Sequence, residues 1–250
     1  MEPPSGATSA PVYVIEGREV RFPVEVRHAR SGAATWLVPS EPARRLLPCP
    51  DFDVAEVLPG RAILSIALID YRDNDLGDYN EISIALFVRP RSQSAGIPYL
   101  GSVLDFFGQK LGTYIHRLPV NQSFTREAGF QIWGFPKTVD EIEFEEEDGR
   151  MACSWAQEGR RVLRLSLPRG GSRSMPEREM VTYTVIEGVP HATRFTTGAE
   201  GMGFQLGGAR LELGDHPIAD ELRGLGLPRT ALMSTWMEKM RGRFEPPQKL

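Results

Sequence analysis

Apolar and polar residues alternate with a period of two along several stretches of this chain, which is the pattern of half-buried β-strands. The clearest stretches are residues 21–26, 63–69, 82–88, 141–144 and 162–167. Asp148-Gly149 separates two such stretches and is a typical hairpin turn. The pattern therefore predicts mainly antiparallel β structure, with a meander over residues 139–167.

Helical spacing of apolar residues is rarer and predicts a few short helices, at residues 41–47, 100–111, 123–129 and 229–240. The last segment is amphipathic, which predicts a helix docked on a sheet or on a partner subunit. The tract 168–176 is rich in Gly, Ser and Arg and is predicted to be an exposed loop. The predicted fold class is α+β, mainly antiparallel β.

Length and charge narrow the function classes. A chain of 250 residues fits one domain, with mobile segments expected at 1–11 and 244–250. The net charge is −4 and the arginines are scattered, so no nucleic-acid partner is expected. No apolar run is long enough to span a membrane, which indicates a cytoplasmic protein. The spacing of cysteines and histidines indicates two free thiols and neither a metal nor a cofactor.

Lysine is scarce, because only four of the 29 basic residues are lysines. Lys110 is predicted at a helix end, Lys239 on the polar side of the last helix, and Lys249 in the tail. Lys137 instead follows the apolar run 132–136, Ile-Trp-Gly-Phe-Pro. An apolar wall desolvates an amine and favours its neutral, nucleophilic form. The alternative is that Lys137 starts a strand and points to water, the commoner fate of a lysine.

The run 132–137 resembles the signature of the acetoacetate decarboxylase family, in which the lysine after an aromatic-Pro pair forms a Schiff base. Residues 76–81, Leu-Gly-Asp-Tyr-Asn-Glu, are similar to the family's Gly-x-Tyr-x-Glu block, whose glutamate lies in the active site. Gly17-Arg18-Glu19 resembles the family's Asn-Arg-Glu, whose arginine faces the pocket. The resemblance covers most of residues 14–197. It implies a cone-like closed β structure with the lysine inside, and a homo-oligomer.

Three departures from the family pattern indicate a changed pocket. Thr138 stands where the decarboxylases have a second lysine, and their Gly-Arg-Glu before the motif is here Gly129-Phe130-Gln131. A further family glutamate falls near Ser65 or Ile66, neither of which ionises. The resemblance therefore implies another substrate, and acetoacetate decarboxylation is expected to be weak.

The sequence thus predicts a Schiff-base-forming lyase acting on a small keto acid. Lys137 is the expected nucleophile, Glu81 the proton shuttle and Arg18 the group that holds a substrate carboxylate. The reaction is either decarboxylation of a β-keto acid or aldol condensation and dehydration with a pyruvate-like donor. The alternative is a non-catalytic β domain in which Lys137 pairs with an apolar carboxylate ligand. The sequence shows no partner for Lys137, so Lys137→Ala is expected to keep the fold and to abolish imine trapping.

Overall fold

The structure, a computed structural model, describes residues 11–93 and 97–250. The helices are α1 (Ser40–Arg44), α2 (Leu100–Phe107), α3 (Ser123–Trp133) and α4 (Pro217–Gly224). The strands are β1 (Val12–Ile15), β2 (Arg18–Arg21), β3 (Val24–Pro39), β4 (Phe52–Val54), β5 (Glu56–Leu58), β6 (Arg61–Asn74), β7 (Tyr79–Pro90), β8 (Gly112–Val120), β9 (Lys137–Val139), β10 (Glu141–Glu147), β11 (Arg150–Gln157), β12 (Arg160–Pro168), β13 (Arg173–Ile186), β14 (Val189–Leu206), β15 (Arg210–Leu213), β16 (Met233–Phe244) and β17 (Gln248–Lys249).

Seven of these strands form a closed barrel in the order β7-β6-β3-β16-β14-β13-β8, and β8 pairs back with β7 to complete the ring. All neighbours in the ring are antiparallel except β8 and β13. β9 adds to β8 in parallel, outside the ring. The mostly β, closed architecture predicted from the sequence is confirmed.

A second sheet, β10-β11-β12-β15, packs against the outside of the barrel. Asp148 and Gly149 join β10 to β11, so the predicted hairpin and the meander over 139–167 are confirmed. The largest apolar core lies between this sheet and the outer faces of β3, β6 and β7, where Trp36 and Trp155 are almost fully buried. This core thus lies beside the barrel and does not fill the barrel interior.

Side-chain size alternates along the strands that carry this core. On β6, Leu64, Ile66 and Leu68 face the core, whereas Ser65 and Ala67 face the barrel interior. Small barrels normally fill their interior with side chains. Small inward residues on neighbouring strands therefore leave an internal space.

The predicted helix over 229–240 is wrong, because these residues lie mostly in β16. Met233 and Met237 face the barrel interior, whereas Trp236 faces the core and packs on Gly32, where a Cβ would lie 2.6 Å from the indole. The pairing with β3 shifts register between Met237 and Met240. Lys239 is accordingly an exposed strand residue and not part of a helical polar face.

Other expectations also need correction. In the tail 244–250, β17 pairs with β14, and the backbone N–H of Leu250 donates to the carbonyl of Pro190 at 3.1 Å. The loop expected at 168–176 is shorter, because β13 begins at Arg173. The sequence patterns did not indicate α4. Most of the segment 1–11, expected to be mobile, lies outside the described residues.

Arg169, just after β12, links the outer sheet to the barrel by binding Glu238 of β16 at 2.6 Å. The indole of Trp236 also donates to Glu238, at 2.9 Å. The Arg169 guanidinium lowers the pKa of Glu238 to about 2, against the effect of partial burial. Glu238 is therefore an ionised group that joins the two sheets.

Two further observations concern sequence expectations. Cys49 and Cys153 are both free thiols. Within 11–93 and 97–250, no helix combines the length and the apolar character needed to cross a membrane.

Candidate active site

The apolar run before Lys137 is a helix ending followed by a short strand. α3 ends at Trp133, and Gly134 follows with φ of 68°, a left-handed conformation that favours glycine. Pro136 has no backbone N–H to continue a helix. β9 then begins at Lys137 and pairs in parallel with Leu118 of β8. The end of α3, the turn at Gly134 and the start of β9 together direct the lysine side chain into the barrel.

Gly129 of α3 provides the room that the lysine side chain needs. A Cβ at this position would lie 2.6 Å from Cδ and 2.8 Å from Cε of Lys137, which is closer than real contacts allow. The aliphatic part of Lys137 therefore crosses the helix at the only residue type that lets it pass.

Lys137 and Glu81 form a buried ion pair. The Nζ atom of Lys137 lies 2.8 Å from Oε2 of Glu81, and their side chains are 4% and 8% exposed. Nζ also lies 4.9 Å from the centre of the Tyr79 ring, within the range of a cation–π contact. The hydroxyl of Tyr71 donates a long hydrogen bond of 3.4 Å to Oε1 of Glu81.

The two tyrosines stack on each other with ring centres 4.4 Å apart. Burial, followed by the charge of Glu81, raises the pKa of Tyr71 well above its usual range. Burial also raises the pKa of Tyr79. Both phenols therefore stay protonated at neutral pH, so Tyr71 acts as a donor to the carboxylate and not as a base.

The ion pair lies in the wall of a cavity of about 420 Å³ that occupies the barrel interior. Strands β3, β6, β7, β8, β13, β14 and β16 contribute to the lining, together with residues of α2 and the end of α3. Among the described residues, Lys137 and Glu81 are the only charged side chains in this lining. The site is therefore one amine and one carboxylate at the edge of a neutral chamber.

The structure brings together two of the three site residues expected from the sequence. Arg18 is the exception, and the expectation that it faces the pocket is wrong. It is an exposed residue of β2, its guanidinium carbon lies 3.9 Å from the ring centre of Phe124, and it is absent from the cavity lining. The tight turn at Gly17 between β1 and β2 leaves Arg18 on the outer surface, stacked on α3.

Most of the departures from the family pattern also lie outside the cavity. Thr138 is exposed and bonds to Asp140 at 2.8 Å. Phe130 and Gln131 are exposed residues of α3, outside the cavity lining. Ser65 does line the cavity, whereas Ile66 on the same strand faces the core. Only one of the three changes therefore alters the chamber itself.

Two residues that shape the site, Gly129 and Tyr71, had no role assigned from the sequence, and the anchoring of Trp133 was also not foreseen. Gly129 and Tyr71 have no distinctive local pattern. Trp133 is held by a hydrogen bond of 3.0 Å from its indole to the carbonyl of Glu245, in the tail that was expected to be mobile. The small residues of the lining were visible as a signal, since Ser and Ala alternate with Leu and Ile along β6 and β7.

Solved structures of other proteins share this fold. Acetoacetate decarboxylase from Legionella pneumophila subsp. pneumophila str. Philadelphia 1 matches with a TM-score of 0.64 and 14% identity, over 100% of this chain and 92% of that one. The enduracididine biosynthesis enzyme MppR, solved with pyruvate, matches with a TM-score of 0.61 and 16% identity, over 98% and 92%. An acetoacetate decarboxylase-like enzyme from Sphingomonas wittichii RW1 has a TM-score of 0.54 and 16% identity, over 94% and 96%.

These identities are low enough that the likeness establishes the fold alone. No curated protein matches the chain significantly. The sequence model of the family described as acetoacetate decarboxylase (ADC) matches residues 11–241, which is most of the chain. The chain therefore belongs to the acetoacetate decarboxylase family.

Proposed function

We propose that this protein is a lyase that forms a Schiff base between Lys137 and the ketone of a keto acid. The observation that carries the proposal is the buried contact of 2.8 Å between the Lys137 amine and the Glu81 carboxylate in the cavity wall. Family membership supports a related enzyme, and MppR was solved with pyruvate, a small keto acid.

The ion pair contains the one proton that the first steps need. Transfer of that proton from the ammonium to Glu81 gives a neutral amine and a neutral carboxylic acid. The amine of Lys137 then adds to the ketone carbon, and one proton moves from the nitrogen to the former ketone oxygen to give a carbinolamine. Glu81 donates its proton to the departing hydroxyl, water leaves, and a protonated imine remains.

The charges around the imine favour decarboxylation over aldol chemistry. Among the described residues, no arginine or second lysine lines the cavity to hold a substrate carboxylate. A buried carboxylate that no arginine or lysine side chain holds is destabilised, and its conversion to CO2, with electron flow into the protonated imine, relieves that cost. In this step the bond between the carboxyl and α carbons breaks, its electrons form an enamine, and a proton adds to the α carbon. Hydrolysis of the imine releases the ketone and regenerates Lys137.

A ligand-carrying domain is the second candidate function, in which Lys137 would pair with a carboxylate of the ligand. Glu81 argues against this arrangement, because it already neutralises the lysine and would repel a second carboxylate at the same place. The two candidates differ in one outcome, since only the lyase forms a covalent bond to its ligand.

Borohydride trapping with acetoacetate or pyruvate, followed by peptide mass mapping, tests the proposal. The expected result is a mass increase confined to the peptide that contains Lys137. The other three lysines are exposed and serve as internal controls for non-specific modification. Lys137→Arg is the matched variant, because it keeps a cation beside Glu81 and removes the nucleophilic amine. A mass increase that persists in this variant, or none in the wild type, overturns the proposal.

A further inference from the structure

The barrel interior is much larger than a small keto acid requires. A water occupies about 30 Å³ in the liquid, so a cavity of about 420 Å³ has room for on the order of a dozen non-hydrogen atoms. Pyruvate or acetoacetate bound at Lys137 would fill only part of this space. The remainder lies beyond the ion pair, inside the barrel.

The strand register shows in which direction the cavity extends from the ion pair. Three successive rows of inward residues cross β3, β6 and β7, and only the first contains a charge. Each row lies two residues, or about 6.6 Å, further along the strands. The rows are Ser31–Ile69–Glu81, Ala33–Ala67–Ser83 and Thr35–Ser65–Ala85.

The far end of the space is lined by aromatic residues. Phe87 follows six residues after Glu81 on β7, which corresponds to about 20 Å along the strand. Its ring packs edge-on against Phe106 of α2 with centres 5.0 Å apart. Met233 of β16 pairs with Thr35 and so lies at the level of the third row, whereas Met237 pairs with Ser31 at the level of the first. The chamber is therefore long, and its distant wall combines aromatic rings with the hydroxyl groups of Thr113 and Thr182.

The lining also restricts the charge of the ligand. Beyond Lys137 and Glu81, every lining side chain among the described residues is neutral. A second carboxylate or a phosphate deep in the barrel would be buried without a counter-ion, at a cost of several kcal/mol or more. Methylene groups, in contrast, gain free energy when they leave water for the apolar side chains that form much of this lining.

We propose that the substrate is a β-keto acid with a long, neutral, apolar chain on the far side of its ketone. This inference rests on the proposed function for the position of the reacting carbonyl, which lies at Lys137. The chain extends from the imine carbon along the rows of small residues toward Phe87. Loss of CO2 from such an acid leaves a methyl ketone with the same chain.

Two series of neutral probes test the inference separately from the Schiff base. Straight-chain 2-alkanones from butanone to undecanone resemble the product and form an imine, so borohydride trapping gives a half-saturating concentration for each. Straight-chain 1-alkanols of the same lengths bind without forming an imine, and calorimetric titration gives their Kd. Both constants are expected to fall by about three- to fourfold for each added methylene until the chamber is full.

Amino-acid substitutions test where in the barrel the alkyl chain of the ligand lies. Ala67→Phe blocks the second row and Ala85→Phe the third, so the tightening is expected to stop at a shorter chain in the first variant than in the second. Val14→Phe adds the same bulk at an exposed position of β1 and is the control, with the wild-type length profile expected. Circular dichroism and thermal unfolding verify that each variant is folded.

The outcomes separate the two proposals. Tightening with alkanol length together with failure to trap any ketone would support the apolar chamber and overturn the Schiff base. Trapping at Lys137 with no dependence on chain length in either series would support the Schiff base and overturn the long substrate. If the dependence of binding on probe length is the same in Ala67→Phe, Ala85→Phe and Val14→Phe, the alkyl chain lies outside the barrel. That result would also overturn the proposal of a long substrate.

Discussion

The buried ion pair makes the stability of the fold depend on both of its members, and Lys137→Met tests this dependence. Methionine keeps most of the length and the apolar part of the side chain but leaves Glu81 without its cation. At 2.8 Å and an effective dielectric constant of about 20, the Coulomb attraction is about 6 kcal/mol. The only remaining polar contact to Glu81 among the described side chains is the hydroxyl of Tyr71 at 3.4 Å.

Removing one partner of a buried pair typically destabilises a protein by about 3–5 kcal/mol, and relaxation of the structure around Glu81 keeps the loss below the Coulomb value. For a chain of this size the loss corresponds to a fall in Tm of about 6–20 °C. The premise that Lys137 has no partner, on which the sequence-based expectation for Lys137→Ala rests, is therefore wrong. The alanine variant is expected to lose stability as well as imine trapping.

A double-mutant cycle measures the effect. Urea unfolding followed by tryptophan fluorescence gives the free energy of unfolding for Lys137→Met, Glu81→Gln and the double variant. The double variant is expected to recover most of the loss, because no unpaired charge remains. Lys110→Met at an exposed position is the control and should change stability by less than about 0.5 kcal/mol. The reasoning would be refuted if the Lys137→Met variant were as stable as the wild type and if the two substitutions had additive effects on the free energy of unfolding.

Three further predictions follow from the geometry. Gly129→Ala should slow imine trapping by about a hundredfold, because a displacement near one ångström has that effect, whereas Gly224→Ala, whose added Cβ meets nothing, should not. Glu238→Gln should destabilise the protein at neutral pH. Because the folded-state pKa of Glu238 is lowered to about 2, the difference from the wild type should shrink as the pH falls below about 4.5 in acid unfolding. Burial raises the pKa of Cys153, so a thiol reagent should label Cys49 faster and reach Cys153 only after unfolding.

The fold class could be predicted from the sequence because the two faces of most strands lie in different environments. One face packs on the apolar core and the other faces the cavity or solvent, so residue types alternate along the strand. Residues 63–69 and 82–88 show this directly, and both lie in barrel strands. The local motif at 132–137 also pointed to Lys137, and the block ending at Glu81 pointed to a second residue of the same cavity wall, although not to the contact between the two. These features depend on residues near one another in the chain, which is what a pattern can report.

The C-terminal strand could not be recognised in the same way. Met233 and Met237 face the cavity, Trp236 is buried on the opposite face, and a register shift precedes Met240, which faces the cavity again. Two apolar faces and a shift in phase produce spacings of three and four residues, the same spacings as an amphipathic helix. The pattern alone contains no information that separates these two structures.

The position of Arg18 and the exposure of other polar side chains depend on tertiary packing. A three-residue match cannot indicate that β1 and β2 form a separate hairpin outside the barrel. Likewise, the exposure of Thr138 and Gln131 follows from how α3 and β9 meet β8, which the motif does not encode. The finding that no further charged side chain among the described residues lines the chamber therefore comes from the structure and not from the family pattern.

Closure of the barrel also has a consequence for synthesis of the chain. Gly32 and Trp236 are neighbours across the β3–β16 ladder although nearly the whole chain lies between them. At ribosomal rates of about 5–20 residues per second, β3 waits on the order of 10–40 s for its partner. During that time one edge of β3 has unpaired backbone groups, and such edges promote aggregation. Chains that stop before β16 should therefore need chaperones to stay soluble, and high expression temperatures should lower the yield of the complete protein.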